Sequence, residues 1–194
     1  MKRSEDWPGE KPAPDGLQHV VDFLNTVDPQ TGDDALASAT TLSAWLEEQG
    51  LLAPGSAFEA ADYSAALAAR AGLWALAADH SAAYREHAGD RDAIAQLATL
   101  AHSARLNVRF DAAGSARLAF ETSSFAGVLG RLFAAVERAQ LLDRWQRVKI
   151  CANDACRRAF WDASNNRQAK WCSMRRCGSK LKARARREAW RRWR

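Results

Sequence analysis

The sequence predicts an α+β protein that is mainly α: a helical N-terminal domain with one β-hairpin, followed by a small cysteine-rich C-terminal module. Three observations support this fold class. Apolar residues recur at helical spacing through most of the first 145 positions, they alternate between residues 106 and 120, and all four cysteines lie beyond residue 150. A length of 194 residues accommodates one ordinary domain and a small module.

The first elements follow from capping residues and apolar spacing. Residues 1–14 are expected to form a flexible tail, because prolines stand there among charges. Asp15 is expected to cap the first helix, whose apolar positions between residues 17 and 24 obey the i, i+3, i+4, i+7 rule. Either Thr40 or Thr41 is expected to cap a second, short helix.

The middle of the chain predicts two further helices. An alanine-rich run from Ala57 to Glu86 is typical of one long helix, which Gly89 is expected to end. Asp90 is expected to cap the next helix, whose apolar residues again lie on one face.

The apolar period then changes from helix to strand and back. Alternation over residues 106–110 and 118–120, on either side of a turn at 111–115, predicts a β-hairpin. Ser123 or Ser124 is expected to begin the following helix, whose strong apolar stripe predicts a helix to about Trp145.

The two parts of the chain carry opposite charge, although the net charge is +5. Residues 1–143 hold 11 Lys/Arg and 20 Asp/Glu, a net of −9, whereas residues 144–194 hold 17 and 3, a net of +14. We interpret this as an acidic globular domain (15–145) joined to a basic module (146–194) suited to a polyanion. Neither a secretory signal nor an apolar stretch of membrane-spanning length is visible, so a cytoplasmic protein that spans no membrane is expected.

The cysteines are the most specific feature of the basic module. They follow the pattern C-x4-C, fifteen residues, C-x4-C, which suits four thiolates around one tetrahedral Zn²⁺: Cys151, Cys156, Cys172 and Cys177. Two disulfides are disfavoured in a cytosolic protein, and iron–sulfur clusters use other spacings; a redox pair or free thiols are further alternatives. Four protein ligands leave no open position, so the expected zinc is structural.

The module is expected to fold as a treble-clef-like finger. The first cysteine pair forms a knuckle, residues 158–163 form a strand, Asn165 and Asn166 make the turn of a hairpin, and Ser173 caps a helical turn that reaches Cys177. A basic helix follows from about residue 178. Its apolar stripe is expected to pack on the finger: Leu181, Ala185, Ala189 and Trp193.

Further motif residues accompany the cysteines: Phe160, Asp162-Ala-Ser164-x-Asn166, Trp171-Cys172-Ser173-Met174 and Cys177-Gly178. With them, residues 147–187 resemble the CGNR zinc finger of bacterial proteins. The preceding part, with Val21-Asp-Phe-Leu-Asn-Thr26 near its start, is similar to the ABATE domain that accompanies this finger. The resemblance implies a stress-induced transcription regulator whose finger binds DNA.

One motif position departs from this family. The name-giving Cys-Gly-Asn-Arg reads Cys177-Gly178-Ser179-Lys180. Lysine keeps the positive charge but lacks the planar fork of arginine that makes bidentate contacts. Metal binding is expected to survive, and any contact that needs the fork stays open.

Nucleic acid is the expected partner, with duplex DNA ahead of RNA, because the basic residues far outnumber those that four thiolates require. The candidate contacts are the cations of the module: Arg157, Arg158, Arg167, Lys170, Arg175, Arg176, Lys180, Lys182, Arg184, Arg187 and Arg191. One alternative is an RNA-binding or ribosome-associated protein that stacks bases on Trp161, Trp171 and Trp190. Another is a thiolate redox sensor or a protein-interaction module.

The N-terminal domain is expected to sense a signal, bind a partner or form a homodimer. Asp22 and Asn25 are polar residues among apolar neighbours on the first helix, which makes them candidates for the pocket of an unknown small molecule. The sequence contains no HExxH, P-loop, GxSxG or dinucleotide-binding glycine motif, so an enzyme is not expected.

Overall fold

The computed structural model describes residues 11–56, 58–81, 84 and 90–193. Within these ranges the chain forms six α-helices, two two-stranded antiparallel sheets and two short helical turns. The elements in chain order are α1 (Leu17–Leu24), α2 (Ala39–Glu48), α3 (Ala60–Ala78), α4 (Arg91–Ser103), β1 (Leu106–Phe110), β2 (Ala116–Phe120), α5 (Phe125–Leu141), a 3₁₀ turn (Trp145–Arg147), β3 (Val148–Ile150), β4 (Ala159–Trp161), a π-helical turn (Met174–Gly178) and α6 (Ser179–Arg192). The predicted class, α+β and mainly α, is confirmed.

Several helix starts follow the capping residues that the sequence offers. Asp90 accepts the Ala93 N–H at the start of α4, and Ser124 caps α5, as predicted. The prediction of Thr40 or Thr41 as the cap of α2 is wrong by two or three residues. Ser38 is the cap, and Thr41 is its partner in a capping box.

The predicted cap of α1 is also wrong. Gly16 precedes the helix in a left-handed conformation (φ 81°), and no side chain caps the helix start. The Asp15 carboxylate instead forms an ion pair with Arg144, which follows α5. A long-range partner therefore takes the side chain that local sequence assigned to the cap.

Helix α3 is shorter than predicted, because it begins at Ala60 and ends at Ala78. After it the Ser81 hydroxyl donates to Ala77 O and accepts the N–H of Ile150 in β3, so the chain leaves the helix to meet another element. The predicted stop at Gly89 lies outside the described residues.

Helix α5 ends at Leu141, four residues before the predicted end near Trp145. Asp143 adopts a left-handed conformation (φ 53°) that breaks the helix. Trp145 then lies in the 3₁₀ turn, where it is buried. The turn leads directly into β3.

The hydrophobic core runs without a break from the helices into the cysteine module. Phe23 of α1 and Leu132 of α5 are fully buried in the same cluster as Val148, Ile150 and Ala159 of the second sheet. A smaller cluster is formed by the four cysteines and Phe160. The module is thus partly built on the core of the helical domain.

The second sheet differs from the predicted hairpin. β4 pairs with β3, which precedes the cysteines, with Val148 opposite Trp161 and Ile150 opposite Ala159. The predicted hairpin is therefore wrong, although Asn165 and Asn166 do form the predicted turn. The first cysteine pair lies in the connection between β3 and β4. Residues 162–170 contain no strand or helix.

The expectation that the apolar stripe of α6 packs on the finger is wrong as well. No residue of α6 is buried, and Trp193 just beyond it is 92% exposed. Leu181, the first residue of the stripe, is half-buried, whereas Ala185, Ala189 and the cations of the helix are exposed. None of the helices in the described ranges is long and apolar enough to span a membrane.

Candidate metal centre and basic surface

The four cysteine thiols form one compact, buried cluster. All four Sγ atoms lie within 4.8 Å of one another. Cys172 Sγ is 3.7 Å from Cys156 Sγ and 3.9 Å from Cys177 Sγ, and none of the four is in a disulfide. Thiolates about 2.3 Å from a tetrahedral Zn²⁺ are roughly 3.8 Å apart. The cluster therefore fits one zinc ion with four protein ligands.

Local backbone geometry places the two cysteine pairs. In the first pair the Cys156 N–H donates to Asn153 O at 2.7 Å, which closes the knuckle. In the second pair Ser173 caps the π-helical turn that carries Cys177, as predicted. A Cβ on Gly178 would lie 2.6 Å from Met174 Sδ, so the glycine after Cys177 allows this turn to close.

Hydrogen bonds within the cluster favour some thiolates over others. The thiols of Cys156 and Cys172, with the backbone amides of Cys172 and Asn153, lower the pKa of Cys151 to about 4. Hydrogen bonds to Cys151 and Cys156, together with burial, raise the pKa of Cys172. Asn153 Nδ2 also donates to Cys177 Sγ at 3.3 Å. A divalent cation supplies the charge that lets all four sulfurs ionise together.

A buried ion pair holds the loop between the two cysteine pairs. The carboxylate of Asp162 accepts hydrogen bonds from Lys149 Nζ (2.7 Å), from the Ala169 N–H (2.9 Å) and from the N–H and hydroxyl of Ser164. Burial opposes ionisation of Asp162, but Lys149 and these hydrogen bonds outweigh it and lower its pKa. The motif residues Asp162 and Ser164 thus have a structural role, and Lys149 is a partner that sequence reasoning missed.

Two family models match the chain, in the order that the sequence suggested. The ABATE model, described as "Putative stress-induced transcription regulator", matches residues 18–145, and the CGNR zinc finger model matches residues 147–189. The chain belongs to the ABATE family. Neither family is described as an enzyme, and no curated protein matches the chain. With the cysteine cluster, the CGNR match supports the predicted single structural zinc ion.

Asn25 joins the ABATE region to the finger. Its Nδ2 donates to Ala159 O at 2.9 Å, and its Oδ1 accepts the Ala159 N–H at 2.8 Å. Asn25 is 6% exposed, so both hydrogen bonds are shielded from water. One amide side chain at the C-terminal end of α1 therefore satisfies both backbone groups of a residue in β4.

The predicted ligand pocket remains a prediction. Asn25 lies at the wall of a groove between the ABATE region and the finger, but its amide already has both partners. Asp22 accepts a hydrogen bond from Gln18 Nε2 at 2.8 Å. Neither side chain points to a particular ligand.

Several of the predicted nucleic-acid contacts have partners within the protein, among them Arg157, Arg167, Arg184 and Lys182, which lies over the Trp171 ring. The Arg157 guanidinium lies 5.5 Å from the centre of the Trp74 ring and 5.3 Å from that of the Tyr84 ring, and both rings belong to the ABATE region. Arg167 forms an ion pair with Asp143 at 2.6 Å. Arg184 pairs along its helix with Glu188.

The other predicted contacts lie in the finger and in α6. Arg158 is half-buried, and the others are exposed: Lys170, Arg175, Arg176, Lys180, Lys182, Arg187 and Arg191. Arg158, Arg176 and Lys180 line a groove next to Cys156 and Cys177. The groove leads from the metal centre to the start of α6.

Helix α6 carries the densest charge. It holds seven Lys/Arg and one acidic residue, Glu188, over 14 residues. At 100° per residue, Lys180, Arg184, Arg187 and Arg191 fall on one face, whereas Lys182 and Arg186 fall on the other side. Because Cys177 lies in the turn that precedes it, the metal centre anchors the start of this helix.

Proposed function

We propose that this protein is a zinc-containing, DNA-binding transcription regulator of the cytoplasm, without enzymatic activity. Residues 146–194 contact duplex DNA, and residues 15–145 sense a signal, bind a partner or dimerise. The observation that carries the proposal is that α6 is basic and exposed, and that it begins directly after the turn that holds the zinc ligand Cys177. The ABATE and CGNR matches support it.

The dimensions of α6 suit the major groove of DNA. A helix of 14 residues is about 21 Å long and, with side chains, about 10–12 Å wide, and the major groove is about 12 Å wide. Cations on both sides of such a helix face the phosphates of both groove walls. The cations beside the metal centre, Arg176 and Lys180, extend this surface toward the DNA backbone.

Phosphate contacts account for most of the affinity in this proposal. Each contact displaces counterions, so log K falls by about 0.9 per contact per tenfold rise in salt. The acidic ABATE region repels DNA, which orients the protein with its finger toward the duplex. Lys180, in place of the family arginine, contributes a phosphate contact rather than bidentate recognition of a base.

Fluorescence anisotropy of zinc-loaded protein on a labelled duplex, over a series of salt concentrations, tests the proposal. The double variant R187Q/R191Q removes two charges from the exposed face of α6. We expect weaker binding and a salt slope that is smaller by about 1.8. The control R91Q removes an exposed charge from α4 of the ABATE region and should leave both quantities unchanged. Equal slopes for wild type and R187Q/R191Q would contradict DNA binding by α6.

An RNA-binding function is the second candidate, because Trp190 and Trp193 are 63% and 92% exposed beside arginines. Such rings stack on unpaired bases. Trp161 and Trp171 fit this role less well, because Arg147 and Lys182 lie over their faces. Competition between single-stranded RNA and duplex DNA distinguishes the two functions, and a preference for RNA that W193A abolishes would favour the second.

A further inference from the structure

The first sheet is an arm with one uncovered apolar face. In the register of β1 and β2, Leu106 pairs with Phe120, Val108 with Leu118 and Phe110 with Ala116, so these six side chains share one face. Five of the six are exposed, and the four large ones among them are 44% (Leu106), 56% (Val108), 71% (Phe110) and 47% (Leu118) exposed. An isolated two-stranded hairpin is at best marginally stable in water, and apolar patches of this kind mark interaction sites.

Close packing at the base holds the arm in position. A Cβ on Gly127 would lie 1.8 Å from Glu121 O, and a Cβ on Gly130 would lie 2.4 Å from Arg105 O. The Arg105 N–H also donates to Ala126 O at 2.8 Å. Both ends of the hairpin are thus fixed against α5 by two glycines one turn apart.

The opposite face of the arm is polar and carries like charges. Arg109 and Arg117 stand directly opposite each other in the register, an arrangement that disfavours contact with another basic surface. The guanidinium of Arg117 forms a long ion pair with the Asp111 carboxylate, at 3.9 Å. The arm therefore has one face suited to apolar contact and one suited to water.

We propose that the apolar face of the arm binds the same face of a second copy of this chain, which makes the protein a homodimer. With a two-fold axis along the arm, β1 of one copy lies over β2 of the other. Phe110 then lies over the small Ala116 of the second copy, and Val108 lies over Leu118. The pairing of a large with a small residue at the tip makes the face complementary to itself.

The area of this face limits the size of the interface. The exposed fractions of the four side chains correspond to roughly 400 Å² per copy, or about 800 Å² in the dimer, for side chains of 150–250 Å². Stable complexes bury about 1,200–2,000 Å². The arms alone therefore support a weak, reversible dimer rather than an obligate one.

Sedimentation velocity of the full, zinc-loaded chain, freed of nucleic acid and studied at about 1–200 µM, tests this proposal. We expect a monomer–dimer equilibrium. F110E should weaken it by at least about tenfold, because it buries a carboxylate in the apolar contact. V108K is a second variant on the same face. R109E, the neighbouring change on the opposite face, is the matched control and should alter the equilibrium by less than about threefold.

Three results would overturn the proposal. One is a wild-type chain that stays monomeric over the whole range, which would assign the face to a different protein. Another is a dimer that F110E and V108K leave unchanged. The third is a dimer that R109E weakens as much as F110E does. Because the assay contains no nucleic acid, its outcome is independent of the proposed DNA binding.

Discussion

The two hydrogen bonds of Asn25 make a sharp test of how the ABATE region and the finger depend on each other. In the variant N25A, the Ala159 N–H and C=O lose their side-chain partner. Ala159 is 4% exposed, so water does not readily replace the amide. The perturbation acts on β4, just after the first cysteine pair.

The magnitude follows from the cost of buried, unpaired backbone groups. Each costs about 1–3 kcal/mol, so N25A should lower the free energy of unfolding by about 2–6 kcal/mol. For a chain of 194 residues, each kcal/mol corresponds to a fall in Tm of about 2–4 °C. N25D should also destabilise the protein, because an ionised carboxylate accepts the N–H but cannot donate to Ala159 O.

Urea unfolding and the rate of zinc transfer to a chelator measure the two sides of this coupling. We expect N25A to unfold at lower urea and to release zinc faster, although Asn25 is not a zinc ligand. N107A changes the same residue type on the exposed strand β1 and should stay within about 0.5 kcal/mol of wild type. A loss below about 0.5 kcal/mol for N25A, with unchanged zinc release, would refute the reasoning.

Three further predictions concern other contacts. D162N should destabilise the protein by about 3–5 kcal/mol, because it leaves Lys149 buried without its countercharge, and D162N/K149M should recover much of this loss in urea unfolding. G130A should cost about 1–3 kcal/mol in the same assay through its clash with the base of the arm. C172S should abolish stoichiometric zinc binding and amide protection around the cysteines in hydrogen exchange, while the helices of the ABATE region stay protected. The first prediction is contradicted if K149M restores less than about 1 kcal/mol of the stability that D162N loses. The second is contradicted if G130A leaves the urea midpoint unchanged, and the third if the amides around the cysteines stay protected in C172S.

Local sequence predicted the elements whose ends depend on neighbouring residues. Asp90 and Ser124 each cap a helix by accepting the backbone N–H three residues further along the chain. The alternation of apolar residues predicted β1 and β2. Predictions failed where a distant partner decides the geometry. Asp15 pairs with Arg144 instead of capping α1, and Ser81 leaves α3 to bind β3.

The cysteine cluster was predictable because its spacing is a local signal for a tetrahedral site. The supporting residues were not. Lys149 meets Asp162 across the second sheet, and the only hint in the sequence is a lysine between two β-branched residues in a short apolar run. In the sequence, Asn25 is an amide at the end of an apolar helix, a position that suggested a ligand pocket. In the structure its amide bonds to both backbone groups of Ala159.

Sequencing the nucleic acid that the protein retains from a mixed pool shows whether it binds duplex DNA. Zinc-loaded protein is incubated at about 150 mM salt with fragmented genomic DNA and total RNA, and the bound molecules are sequenced. We expect enrichment of duplex DNA with a shared motif, and weaker retention by R187Q/R191Q. Preferential retention of RNA, or no retention of nucleic acid at all, would contradict this expectation.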